Sequence, residues 1–364
     1  MPRGGAHFSS NELATVLSHY DIGVIHDLRP LAAGSRRTPK MIVTTEKGKF
    51  LLKRRPKGKD DLYRAAFAHA VHAHLADRDF PLARLLSTRN EKNTLLQLDN
   101  HIYEFFEFVT GVRYDGSAEA TIDAGLHLAK FHKYLADFSR TNLVQYQGVQ
   151  CRITSQIGAG FHDATNVRRH LKTIGAQETS PEDKELPKIA EILMTLYNKS
   201  SVRVNELGFD SRSEQVVHGD WHPGNMLFAI PQFRNSAVAK RLLAVIDFGS
   251  VKVAPTITDL ANGMLQFSIV GSRPNPTDWP DYLDQAKLIQ FLNGYQQVIS
   301  PCLGAGVNSL LDLMIETMIA EAVLPIAETG FFGNLRGLDF LKMIRRKAEW
   351  IDKNRDKLTE AMQS

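Results

Sequence analysis

Val216-Val217-His218-Gly219-Asp220-Trp221-His222-Pro223-Gly224-Asn225 and, downstream, Leu243-Ala244-Val245-Ile246-Asp247-Phe248-Gly249 decide the fold. Each stretch holds a short apolar run, the pattern of a buried strand, and delivers a polar residue where the run stops. The first yields Asp220 and, five positions later, Asn225; the second yields Asp247. Two carboxylates and an amide at strand ends suit the holding of magnesium-bound phosphates beside a hydroxyl. Magnesium prefers hard oxygen ligands and commonly takes one or two carboxylates together with substrate phosphates. A separate aspartate can accept the hydroxyl proton as attack begins. One such segment alone would read equally well as a loop whose polar residues bond locally; two in this order favour the phosphate reading.

The Asp-x-x-x-x-Asn and Asp-Phe-Gly spacings are those of protein kinases. More specifically, His218 to Asn225 resembles the catalytic loop of the aminoglycoside phosphotransferase and choline kinase superfamily. Ile246-Asp247-Phe248, with Pro255 and Asp259-Leu260-Ala261 after it, resembles that superfamily's metal-binding segment and next helix. The resemblance spans roughly residues 25 to 270. It implies that Asp220 is the catalytic base, that Asn225 and Asp247 hold magnesium, and that Asp259 braces the catalytic loop. It also implies a bilobed α+β fold of the protein-kinase type. The small lobe would carry an antiparallel sheet and the large lobe would be mainly helical, with ATP and magnesium bound between them.

Working outward, residues 28 to 55 read as three strands. A loop with Gly34 and Ser35 follows the first, and Lys53 sits on the third, in Phe50-Leu51-Leu52-Lys53. Backbone amides at Gly34 and Ser35 could meet phosphate oxygens; an ordinary hairpin turn is the other reading. By resemblance, Lys53 contacts the nucleotide phosphates. The superfamily normally adds a glutamate on the following helix to hold this lysine, and here the sequence departs from it. Between Arg54 and Asn90 there is no glutamate, and the acids are Asp60, Asp61, Asp77 and Asp79. Either an early aspartate pairs with Lys53, or the lysine has no stable partner. Residues 82–88 and 94–98 read as strands, and Asp99-Asn100 as a two-residue hairpin turn. Residues 102–109 then form the last small-lobe strand and hinge, where the resemblance has main-chain groups from Glu107 to Val109 bond adenine.

The domain expectation is a nucleotide-binding lobe over 1–110 and a catalytic and substrate-binding lobe over 111–364. Residues 118–138 are strongly helical, with Ile122, Leu126 and Ala129 on one face. Ser180-Pro181-Glu182-Asp183 reads as a helix start. Three helices are expected near 281–299, 309–327 and 338–358. Trp279, Tyr282, Tyr295, Glu316, Glu321 and Glu328 lie in this region, and aromatics with acids would suit a cationic amino alcohol or amino sugar. Ordinary helix cores with charged faces explain the same residues.

Composition is that of a globular chain: 364 residues, 43% hydrophobic, 23% charged, with a formal net charge of +4. That charge does not point to nucleic acid. Lys53-Arg54-Arg55-Pro56-Lys57-Gly58-Lys59 is basic, but no aromatics interleave it, so it reads as a solvated strand exit. His69, His72 and His74 do not share one helical face, which argues against zinc. Cys151 and Cys302 lie far apart without metal spacing, as suits a reducing cytoplasm. No apolar run is long enough to span a membrane, and no signal peptide is evident. The expected activity is ATP- and magnesium-dependent phosphorylation of a small-molecule hydroxyl: an amino alcohol, homoserine, a sugar or an aminoglycoside-like compound. A protein serine or threonine acceptor, and a catalytically weak nucleotide-binding scaffold, stay open beside it.

Overall fold

The computed structural model describes residues 7–32, 38–57, 60–138, 164–176, 184–230, 241–271, 274–299 and 306–363. Gly34, Ser35, Cys151, Cys302 and the helix start at Ser180 lie outside the described residues. The chain divides into two compact units. The first comprises Met1–Tyr114, Asp137–Gln150 and Asn225–Val251; the second comprises Asp115–Ala136, Cys151–Gly224 and Lys252–Ser364.

The first unit opens with helix α1 (Ser10–Ser18), closed at its start by a capping box. The Ser9 hydroxyl accepts from the Glu12 amide, and the Glu12 carboxylate accepts from the Ser9 amide. Strands β1 (Ile25–Pro30), β2 (Lys40–Thr45), β3 (Gly48–Arg54), β4 (Leu96–Leu98) and β5 (His101–Glu107) form one antiparallel sheet in the order β1-β2-β3-β5-β4. Alternation puts Met41, Val43, Phe50, Leu52, Tyr103 and Phe105 into a core shared with Val16 and Leu17 of α1. The turn between β4 and β5 falls at Asp99-Asn100, with Asp99 at φ 51°. Helix α2 (Leu62–Ala76) is capped by the Asp61 carboxylate, which accepts from the Arg64 amide at 2.8 Å.

Residues 82–88 depart from the expected strand. Leu82 makes an isolated bridge to Val245 and Leu85 another to Phe106. The segment touches two different strands in turn instead of running along either, so no ladder forms. A hairpin of Met226–Phe228 with Leu242–Val245 completes this unit.

In the second unit, α3 (Ala118–Leu135), α4 (Ala164–Ala176) and α5 (Leu186–Glu206) precede a short antiparallel ladder of Glu214–Val217 with Lys252–Pro255. Helices α6 (Thr256–Ser268), α7 (Gln285–Gln296), α8 (Gly306–Thr329), α9 (Gly337–Lys353) and α10 (Arg355–Gln363) follow. The last expected helix is thus two, parted at Asn354. Asp312 of α8 is fully buried and binds Arg203 of α5 and Arg355 of α10, each at 2.7 Å.

Helices α3 and α7 approach so closely that side chains are excluded at the crossing. A Cβ added at Gly294 would fall on the carbonyl oxygen of Ile122, and one at Gly125 on that of Phe291. Backbone cannot yield as a side-chain tip can, so Gly294→Ala must force the helices apart. We expect a loss of about 1–3 kcal/mol in unfolding free energy, typical of overpacking, measured by urea titration.

Candidate active site

Each unit assembles a polar cluster where apolar strands end. In the first, Lys53 on β3 stands directly opposite Glu104 on β5 in the sheet register. Its Nζ lies 2.9 Å from Asp247 Oδ1 and 3.6 Å from Glu104 Oε2. Glu104 is buried, and its other oxygen accepts from Arg55 Nη2 at 2.6 Å and Nε at 2.9 Å, and meets His69 Nε2 at 3.0 Å. Burial alone would raise the Glu104 carboxyl; Lys53, His69 and Arg55 outweigh it and hold the group far below the usual carboxylate range. Burial likewise works against the Lys53 charge, but Glu104 and Asp247 raise its pKa overall.

Lys53 therefore has partners, and neither is the early aspartate that the helix pattern suggested. Asp61 instead caps α2. The signal for Glu104 was present in the sequence: an acid in the middle of an aromatic strand must be paired, because a lone buried charge is prohibitively costly. The basic run is largely absorbed in the same way, with Arg54 bound to Glu12 at 2.6 Å and Arg55 to Glu104.

Asp247 follows the second strand of the hairpin, Leu242–Val245, and adopts a left-handed backbone, φ 63°. Aspartate tolerates that region better than most residues, and Asp79, Lys92 and Asp99 adopt it as well. Its side chain stays 43% exposed, so the carboxylate is available to a ligand. Asn225 ends a 3-10 turn (Pro223–Asn225) immediately before the other strand of that hairpin, and its carbonyl accepts from the Ile246 amide at 2.9 Å. Asn225 and Asp247 are thus brought to the same end of one hairpin. Phe248 packs edge-on against His72 of α2, ring centroids 5.2 Å apart. Burial pushes His72 down to about 4, so at neutral pH it is uncharged and donates from Nε2 to the Ala83 carbonyl at 2.7 Å. His69 and His72 are buried rather than surface histidines.

Glu107 and Val109 were expected to meet adenine through the main chain. The Glu107 amide donates to the Arg84 carbonyl at 2.8 Å, and the Phe108 amide to that of Lys49 at 3.0 Å. Among these amides, that of Val109 is the one left to consider for a base.

In the second unit, the strand Glu214–Val217 delivers His218, Gly219 and Asp220. Asp259, in the first turn of α6 and fully buried, collects the loop. Its Oδ2 accepts from the His218 amide at 2.7 Å and its Oδ1 from the Gly219 amide at 2.9 Å. His132 Nε2 of α3 lies 3.2 Å from Oδ2, and His132 Nδ1 lies 2.9 Å from the Tyr295 hydroxyl of α7. Burial would raise the Asp259 carboxyl; His132 and the His218 contacts win, and it is held below the ordinary aspartate range. His132 is thereby tied to the loop. Tyr295 belongs to this buried chain as well. His218 packs edge-on against both Phe131 and Trp221, and Trp221 lies tilted against Phe131, so ring packing anchors the loop too.

Asp220 itself is partly exposed, with His222 Nε2 at 3.6 Å. The Gly224 amide donates to His222 Nδ1 at 3.0 Å, which leaves the ring proton on Nε2, toward Asp220. Of the three C-terminal acids singled out, Glu321 of α8 lies within the electrostatic reach of Asp220. Burial first, and the Asp220 charge second, push its carboxyl up to about 7. Gln266 of α6 donates to it at 3.1 Å. Glu316 is buried and Glu328 exposed.

Asn225 and Asp247 offer hard oxygen donors, the chemistry that suits magnesium. Among the described residues no three His, Cys, Asp or Glu gather as a cation cage. Magnesium needs none when substrate phosphates complete its shell. No described helix is long and apolar enough to cross a membrane.

Comparison with known proteins gives a consistent picture. The family described as "Phosphotransferase enzyme family" matches residues 27–298. No curated protein sequence matches the chain. Among solved structures, a microcompartment-associated aminopropanol kinase is 13% identical, covers 96% of this chain and 99% of its own, and has a TM-score of 0.70. The ethanolamine kinase of Plasmodium vivax is 13% identical over 95% of this chain and 89% of its own, with a TM-score of 0.61. A spectinomycin phosphotransferase, solved with ADP and its antibiotic, is 14% identical over 100% and 99%, with a TM-score of 0.57. At these identities the likeness establishes the fold, an α+β fold of the kinase type.

Asp259→Asn must turn an amide NH2 toward one of the two loop amides, leaving a buried donor unsatisfied. The expected cost is about 1–3 kcal/mol of stability. A depressed carboxyl stabilises the folded state above the unfolded pKa and loses that contribution as pH falls through the folded value. The stability gap between wild type and Asp259→Asn, followed by thermal unfolding, should be flat from about pH 5 to 8 and narrow only below about pH 4.

Proposed function

The chain belongs to the phosphotransferase enzyme family, and from that premise we propose that it moves the γ-phosphate of ATP, with magnesium, to the hydroxyl of a small molecule. The observation that carries this is the Lys53–Asp247 pair. A cation suited to phosphate and a carboxylate suited to magnesium are held 2.9 Å apart at strand ends. Magnesium would supply charge neutralisation on the phosphates, with Asn225 and Asp247 as its protein ligands. Lys53 steadies the nucleotide phosphates. The main chain at Gly34 and Ser35 covers them, and main-chain groups from Glu107 to Val109 meet the base. Asp220 orients the acceptor hydroxyl and takes its proton, in a loop fixed by Asp259. Catalysis then rests on placement and charge, since the protein forms no covalent bond.

For the acceptor we infer a cationic amino alcohol or amino sugar. Glu321 supports this, because an acid close to Asp220 would draw an ammonium group toward the base. The solved aminopropanol and ethanolamine kinases are named for such acceptors. A protein hydroxyl is the second reading, which the experiment below separates. The two distant cysteines fit a reducing compartment, and the cytoplasm is the proposed location.

Asp220→Asn should bind ATP as the wild type does and lose at least about a hundredfold in turnover, the scale of general-base catalysis. Unchanged turnover in this variant would contradict the base assignment. The acceptor pocket is tested by pH. Glu321 is neutral below about 7 and anionic above it, so KM for a cationic acceptor should fall as pH rises through about 7. Glu321→Gln should flatten that profile and raise KM by about tenfold, equivalent to ~1.4 kcal/mol. An unaltered profile would remove Glu321 from the acceptor site.

A further inference from the structure

We propose that Glu104, a strand residue, is the acid that orients Lys53 toward the nucleotide phosphates, and that sheet register, not the placement of α2, sets the pair. This deepens the phosphotransferase reading and rests on it.

Three observations carry the inference. First, Lys53 and Glu104 are direct cross-strand neighbours on antiparallel strands. Such neighbours are held at a fixed separation by the ladder itself, whereas an acid on a separate helix moves whenever the helix moves. Second, the two carboxylate oxygens of Glu104 are divided between tasks. Oε1 takes Arg55 and His69, and His69 is fixed in turn by Thr94 Oγ1, 2.8 Å from its Nδ1. Oε2 is buried and makes no hydrogen bond among the described residues, with the Lys53 ammonium 3.6 Å away. A buried carboxylate oxygen without a donor is costly, so it is a vacancy poised for the lysine. Third, Lys53 now gives its short contact to Asp247. Once Asp247 is engaged by another ligand, the ammonium can close on Oε2 and keep its remaining N–H groups for phosphate. Arg55 and His69 hold the carboxylate still while this happens.

The helix then has a different part. Asp61 is spent on its cap, and what the helix contributes to the pair is the contact of His69 with Glu104. Glu104 is a positioning residue that acts through Lys53.

The test is a calorimetric measurement of ATP binding, with acceptor KM and thermal unfolding alongside, on the full chain. Variants are Glu104→Gln, Lys53→Met, their double mutant, and Asp61→Ala, which removes both the helix cap and the alternative acid. Glu104→Gln should weaken ATP binding by about tenfold while acceptor KM stays within about twofold. The double mutant should bind ATP no more than about twofold more weakly than Lys53→Met alone, because the effect runs through the lysine. Asp61→Ala should stay within about twofold of wild type in both measurements. Wild-type affinity in Glu104→Gln, additive losses in the double mutant, or an equal loss in Asp61→Ala would each overturn the proposal. If Glu104→Gln fails to fold, Glu104→Asp keeps the charge, shortens the reach, and enters the same cycle with Lys53→Met. Absence of ATP binding by the wild type would instead sink the phosphotransferase reading and this inference with it. ATP binding that responds as described, with full turnover in Asp220→Asn, would sink only the base assignment.

Discussion

The carboxylate of Asp259 is the constraint on which the second unit turns. It is fully buried, and it stays ionised only because two loop amides and His132 surround it. Those partners come from three directions: the end of the strand Glu214–Val217, helix α3, and through Tyr295, helix α7. The arrangement therefore demands that α3 and α7 lie close together, which the glycines at their crossing allow. One ionised group thus couples the packing of three helices to the conformation of the loop that presents Asp220. A buried ion cluster of this kind adds little net stability over a well-packed apolar equivalent, yet is costly to break, so it specifies one geometry more than it strengthens the fold.

The first unit solves the same problem with a sheet. Lys53 and Glu104 would each be unfavourable alone in the interior, and register places them face to face. Arg55, His69 and Thr94 satisfy the remaining groups on one side of the carboxylate. On the other side the Lys53 ammonium stands 3.6 Å from Oε2, with Asp247 as its closer partner. His72 and Phe248 secure the turn that carries Asp247, so the strained backbone at that residue is held from behind by apolar contact.

Much of this was legible in the sequence, for local reasons. The capping box of Ser9 and Glu12, the strand alternation around Val43 and Leu52, the Asp99-Asn100 turn and the paired apolar runs before Asp220 and Asp247 all announce themselves over a few residues. What the sequence concealed depends on pairing across long separations. Glu104 lies 51 positions from Lys53, and its partnership follows from strand order, which the alternation does not reveal. The bond from His132 to Asp259 spans 127 positions and depends on the helix crossing. Residues 82–88 have the composition of a strand but find two partners in turn, a competition between surfaces that no window of sequence records. The fold and the positions of its loops were thus accessible, while the choice of partners for buried charges was not.

The chemistry proposed for these loops is transfer of phosphate from ATP to a small hydroxyl compound. The direct measurement is phosphorus NMR of the purified chain with ATP, magnesium and pooled amino alcohols, amino acids, sugars and aminoglycosides. The account predicts a new phosphomonoester signal that grows in one pool as ATP is consumed. ATP left intact in every pool, or lost only to inorganic phosphate, would contradict it.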